Sequence, residues 1–216
     1  MPRVLVMFFF FAFGGVVLAQ DTDKRIVPRS FPTTLVTLGD VPLAIPQQWL
    51  TNKALKVSSG RQRYVYFVNA DQPQFPSTEH LQIPPLALFV LTQVPAELSE
   101  SNLRQQRAEL EKRWSNREPD DHGFWHWKTD EFVSVTDASH RPLGQPLIVN
   151  CRNATPQPEH PVRDRCSVWF YWTPFVSVRY DFMKTKFPEA EWSRLDRRVL
   201  DFLRFLDARG AVGTDR

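Results

Sequence analysis

Cys151 and Cys166 are the only cysteines of the chain, and they bracket one short segment, NCRNATPQPEHPVRDRC. A metal site, a redox pair and a structural crosslink are the candidate reasons for such a placement. A redox C-x-x-C site needs closer cysteines, and a zinc site needs two more good ligands. His160 lies between them, but among Pro156, Pro158 and Pro161 it reads as a solvated loop residue. Strand-like runs border both cysteines, PLIVNC before the segment and CSVWFYW after it. If those runs pair as a hairpin, the two thiols face each other at its mouth. The bond then closes a loop of about 15 residues, worth on the order of 3 kcal/mol in the chain-entropy model. The expectation is therefore a disulfide between Cys151 and Cys166 that staples neighbouring strands.

A disulfide requires an oxidising compartment, and the N-terminus supplies a route to one. MPRVLVMFFFFAFGGVVLAQ has an early charge at Arg3, an apolar run from Val4 to Leu18, and Val17 and Ala19 at the −3 and −1 positions of a cut after Ala19. That is the pattern of a signal peptide, residues 1–19. As a helix the run reaches roughly 23 Å, short of a hydrocarbon core about 30 Å thick. An uncleaved anchor is the alternative; a lipoprotein lacks its cysteine after the cut. The expected location is periplasmic or secreted, with no membrane span after cleavage. Asn153-Ala154-Thr155 fits the N-glycosylation pattern, which matters only in a eukaryotic secretory pathway.

Residues 20–31 read as a flexible leader, 32–210 as one domain and 211–216 as a disordered tail. Loss of Arg3 takes the formal net charge from +3 to +2. Bases alternate with acids, so the chain lacks the basic stripe of a nucleic-acid binder. With 18 prolines against 8 glycines, rigid extended connections are expected.

TTLVTL and VPLAI flank Gly39-Asp40 and read as a hairpin, with Pro42 placing the second strand at an edge. RYVYFV (63–68) is rich in β-branched and aromatic residues. LALFVLTQV (86–94) is nearly continuous and apolar, which predicts a strand buried on both faces or nearly so. NADQPQFPSTEHLQIPP (69–85) between them reads as irregular. A helix is predicted from about Ser101 to Trp114, capped by Ser99 or Ser101, with Leu103, Leu110 and Trp114 as a narrow apolar stripe. CSVWFYW and FVSVRYDF read as antiparallel strands around Thr173-Pro174. In the second, Val176, Val178, Tyr180 and Phe182 alternate with Ser177, Arg179 and Asp181, so one face should be buried and the other wet. FPEAEWSRLDRRVLDFLRFLDARG carries helix markers: Pro188 in the first turn, Glu189 and Glu191 near the positive end of the dipole, Gly210 past the end. Its apolar face, Trp192, Leu195, Val199, Phe202, Leu203 and Leu206, is predicted to dock on the sheet face of Val176, Val178 and Tyr180. The fold class expected is α+β: an antiparallel β-sheet with two helices packed on one face and one disulfide.

HGFWHW is the segment with the most chemistry. His122 and His126 are four apart and share a face in a helix or a strand. A third and fourth ligand are not evident, and no metal or cofactor is expected. In a strand, Trp125 and Trp127 point one way and Phe124 and His126 the other. Such tryptophans can stack on a sugar or a partner and are also ordinary core material. Trp125, His126 and Trp127 are the candidate binding residues. Asp120-Asp121 and the Glu97–Glu100 region read as solvated acidic clusters. No G-x-S-x-G, H-E-x-x-H, G-x-x-x-x-G-K or G-x-G-x-x-G pattern is present, so no catalytic residue is named.

The order LVTLGDVPLAIPQQWL, FWHW, RCSVWFYW…VSVRYDF and EWSRLDRRVLDFLRFL resembles small exported proteins of Gram-negative bacteria, some of which sit beside type VI secretion effectors as immunity or accessory proteins. The resemblance implies a periplasmic, non-enzymatic protein whose partner is a toxin or effector, and assigns no residue a role. Three functions follow as expectations. A protein-binding module needs an exposed apolar or aromatic patch, and an envelope-associated structural protein a uniformly polar surface. A hydrolase or carbohydrate-binding protein needs a pocket joining Trp125, His126 or Trp127 to acids from elsewhere.

Overall fold

A computed structural model describes residues 32–51, 55–58, 63–67, 86–114, 118–127, 131–134, 139–151 and 165–209. The segments read as a signal peptide, a leader and a C-terminal tail, the 69–85 segment, His160, the Asn153 tripeptide and Gly210 lie outside the described residues. The strands are β1 (Thr33–Leu38), β2 (Val41–Pro46), β3 (Leu55–Ser58), β4 (Tyr64–Phe67), β5 (Leu88–Gln93), β6 (Trp125–Trp127), β7 (Glu131–Ser134), β8 (Leu147–Cys151), β9 (Arg165–Thr173) and β10 (Val176–Met183). The helices are α1 (Gln47–Thr51), α2 (Ala96–Trp114) and α3 (Trp192–Leu206).

Eight strands form one sheet in the order β3-β4-β5-β10-β9-β8-β7-β6, every neighbouring pair antiparallel. The β1–β2 hairpin forms a separate two-stranded sheet around the predicted Gly39-Asp40 turn. It is tied to the end of α3 by an isolated bridge, Leu43 to Asp207, and by the Ala208 N–H donating to the Pro42 carbonyl at 2.8 Å. Pro42 can sit there because β2 has a full ladder on one side only.

Alternation puts Phe67, Phe89, Leu91, Val178, Tyr180, Val168 and Phe170 on one face of the large sheet, all buried. Onto this face docks α3, whose six predicted apolar residues are all buried. Phe202 meets the rings of Phe67 and Phe89 at 5.3 and 5.2 Å, and Trp192 meets Phe132 at 5.0 Å. Each large side chain buried there contributes about 1.5–3 kcal/mol before conformational entropy is charged. Trp49 of α1 joins the cluster, 6.0 Å from Phe202. Cys151 and Cys166 stand opposite each other in the β8–β9 register and are bonded, with Cα atoms 4.0 Å apart, so the predicted staple is present.

Four expectations need correction. The two long helices do not share a face: α3 covers the Tyr180 side, whereas Asn102 of α2 donates to the Tyr171 hydroxyl at 2.6 Å on the other. The physical reason is α2's weak apolar stripe. Leu103 and Leu110 are only half-buried, so α2 sits as a polar cover, not as a second wall of the core. It also begins earlier than predicted, directly after Pro95. Ser99 is therefore inside its first turns, fully buried, with its hydroxyl against the Ala96 and Pro174 carbonyls at 2.8 and 2.7 Å. β5 is not buried on both faces: Leu88, Val90 and Thr92 are half-buried while Phe89 and Leu91 are fully covered. Conversely, the wet face of β10 is wet only at Arg179. Ser177 and Asp181 are buried, Asp181 beneath the guanidinium groups of Arg165 and Arg179 at 2.5 and 3.1 Å.

Candidate functional site

Two places bring polar chemistry together, one on each face of the large sheet. The first starts at the β6 approach. Asp120 opens a tight turn in which the Gly123 N–H donates to the Asp120 carbonyl at 2.9 Å, and Gly123 takes φ +83°. That backbone conformation suits glycine. The turn folds the His122 and Phe124 N–H groups onto Asp120 Oδ1, both at 2.9 Å. The other oxygen, Oδ2, then meets His126 Nε2 at 2.6 Å. His126 pairs with Phe132 across β6–β7, and their rings lie edge to face at 4.5 Å.

Glu189 arrives from a 3₁₀ turn, Glu189–Glu191, just ahead of α3, and places Oε1 3.6 Å from His126 Nε2. The ligand atoms of Asp120, His126 and Glu189 all lie within 4.8 Å of one another. Burial alone would push the Asp120 carboxyl up. The Phe124 N–H, the His126 ring and the His122 N–H together hold it below the usual carboxylate range. Glu189 moves the other way: burial, then the hydrogen bond to Asp120 and its charge, raise its carboxyl, with His126 and Lys184 pulling back only in part. Two carboxyl groups so close keep a proton between them on Glu189 more readily than on Asp120.

The second place is a groove of about 340 Å³ between α2 and the opposite sheet face. From α2 it receives Asn102, Gln105, Gln106 and Glu109. Asn150, Trp169 and Tyr171 form much of its floor. Trp169 is 42% exposed and packs edge to face on Tyr171 at 4.5 Å. The volume is within the range of small-molecule and peptide-residue sites, about 300–1,000 Å³. The lining combines amides and rings with two carboxylates, Glu109 and Glu131, and with Ile148 and Ser167. It can hydrogen-bond and stack on a bound group.

Trp125 and His126 do not converge. Trp125 pairs with Val133 and His126 with Phe132, so the two belong to opposite faces; Trp125 is half-buried and Trp127 pairs with Glu131. His122 is exposed and enters the first cluster through its backbone N–H. Among the described residues, His126's carboxylate partners are instead Asp120, which reads along the chain as a solvated acid, and Glu189, which reads as a helix-start marker. Trp169 was also missed. The signal for it is the run Val168-Trp169-Phe170-Tyr171, which places large aromatics on both faces of one strand.

Among the described residues no helix is long and apolar enough to cross a membrane. No family model matches the chain, and neither a curated protein nor a solved structure shows significant similarity to it.

Proposed function

We propose that this chain is an exported, non-enzymatic binding protein that holds a protein partner at the α2 groove. The observation that carries the reading is the open groove itself, where a half-exposed tryptophan stands beside a row of amide side chains. Interfaces concentrate their energy on tryptophan and tyrosine, surrounded by polar groups that exclude water. Leu98, Leu143 and Phe175 are further exposed apolar side chains, so the surface is not the uniformly polar one of a purely structural part. The disulfide supports an oxidising, periplasmic location. The resemblance to proteins of type VI effector loci supports a toxin as the partner class. A second reading, binding of a carbohydrate, is favoured by the Trp169–Tyr171 pair, because sugars also use ring faces and amides.

The test is site-specific photo-crosslinking from Gln106 in the envelope, then affinity measurement with the purified partner. The expected result is one crosslinked protein whose affinity falls at least tenfold with Trp169→Ala. Crosslinking only from a distant control position such as Leu35, or equal affinity with Trp169→Ala, overturns the reading. Soluble glycans that bind wild type and lose affinity with Trp169→Ala, with no protein crosslinked, replace it by the second.

A further inference from the structure

The Asp120, His126 and Glu189 cluster lies on the sheet face opposite the groove and does not depend on it. Its three groups come from three separate elements: the turn before β6, β6 itself and the 3₁₀ turn before α3. Asp120 and His126 are each held by something other than their cluster partners. Asp120 is oriented by two backbone N–H groups on Oδ1, which leaves Oδ2 for the cluster. The His126 ring rests against Phe132. Glu189 Oε1 is sealed from solvent and has no hydrogen-bond partner, because 3.6 Å from Nε2 is too long for one. Once Glu189 is ionised, a sealed oxygen facing a second carboxylate is costly unless a cation meets it. Lys184 is the neighbouring cation, but its ammonium lies over the rings of Phe132 and Trp192, at 5.6 and 5.8 Å.

We propose that Asp120 Oδ2, His126 Nε2 and Glu189 Oε1 bind one divalent transition-metal ion of the zinc type. One nitrogen and two oxygens suit a borderline ion better than calcium or magnesium, which prefer all-oxygen shells. Bonds of about 2.0–2.2 Å put tetrahedral ligand atoms about 3.4 Å apart. The Nε2–Oε1 separation of 3.6 Å is already close to that, and the Nε2–Oδ2 contact of 2.6 Å has to open. His126 is half-exposed and sits at the end strand of the sheet, so its ring has room to move. The two carboxylates neutralise the charge of the ion. Three protein ligands leave a fourth position open to water or to a group from a partner.

The experiment uses the tag-free mature chain with its disulfide intact, zinc chloride as the probe and magnesium chloride as the control. One Zn²⁺ per chain should bind in the micromolar range or tighter. His126→Ala and Glu189→Gln should each weaken binding by at least about tenfold, and His122→Ala should leave it unchanged. Absence of one-to-one binding, or affinity untouched by His126→Ala and Glu189→Gln, overturns the proposal. If either variant fails to fold, imidazole NMR of the wild type decides. The histidine ring close to Phe132 must be the one that zinc shifts first, and a first response at His122 or His140 overturns the assignment.

Discussion

Arg141 Nε lies 3.1 Å from Asp196 Oδ2, and the two side chains are 1% and 2% exposed. This ion pair is inside the core and joins Arg141, which precedes the 3₁₀ turn Pro142–Gly144 ahead of β8, to α3. Tyr180 donates its hydroxyl to Asp196 Oδ1 at 2.7 Å, and the Arg141 guanidinium lies 4.3 Å over the Phe170 ring. The Arg141 Nη1 also donates to the Pro146 carbonyl. Asp196 thus joins α3 to both the Arg141 segment and β10 of the sheet.

Breaking that pair from one side leaves an uncompensated charge in the core. Arg141→Met and Asp196→Asn should each cost about 3–5 kcal/mol in urea unfolding. The double variant should lose much less than the sum of the two. Strictly additive losses in the double-mutant cycle would show that the two charges do not act as a pair.

The disulfide should be worth about 3 kcal/mol, the entropy of closing a loop with a sequence separation of 15. Cys151→Ser with Cys166→Ser, or reduction of the wild type, should lower the urea midpoint to the same position. A reduced protein as stable as the oxidised one contradicts the prediction.

What could be read along the chain was whatever depends on near neighbours. The hairpins, the Cys151–Cys166 pairing and the buried face of α3 follow from period-two and helical patterns in which each residue's partner is close or its whole face is apolar. The side of the sheet taken by α2 was not legible, because Leu103 and Leu110 make too narrow a stripe to choose one. Arg141 reads as a loop cation until α3 folds back and places Asp196 beside it. The cluster was half legible: His126 stood out as a candidate, but its four-residue spacing from His122 pointed to the wrong companion. Asp120 meets it through a turn closed on Gly123, and Glu189 through the docking of α3, and neither is encoded in a spacing.

Gly39 takes φ +60°, and a Cβ built there would stand 2.9 Å from both the Cβ and the carbonyl oxygen of Phe175. The left-handed backbone alone costs an ordinary residue about 1–2 kcal/mol, and the contact adds to it because one of the two atoms is backbone. Gly39→Ala should therefore lower stability by at least about 2 kcal/mol. Gly123, with φ +83° and open space around it, should lose only the backbone part when changed to Ala. Equal losses at the two positions would mean that the close approach of the β1–β2 turn to Phe175 contributes nothing.

Trp169→Ala should separate binding from folding. The side chain is 42% exposed, and its main described contact is the ring pair with Tyr171. Such a pair is worth about 0.5–1.5 kcal/mol beyond burial. The unfolding midpoint should fall only modestly while partner affinity falls at least tenfold. A large loss of stability would make Trp169 a structural residue and remove its value as a probe of the groove.

Glu189→Gln offers an outcome opposite in sign to most substitutions of a half-buried group. Burial and the neighbouring Asp120 both penalise the ionised form of Glu189 in the folded chain. A raised folded-state value means that stability is lost as the carboxyl ionises, so at neutral pH wild-type Glu189 carries a cost that glutamine lacks. With EDTA present, Glu189→Gln should melt at the same temperature as wild type or higher. With zinc in excess the order should reverse, because only wild type gains stability from the bound ion. Paired melting curves in EDTA and in zinc chloride measure both halves at once. A variant that melts lower than wild type in EDTA would show that the Glu189 carboxylate is stabilising without any metal, and the electrostatic argument for the cluster would fail with it.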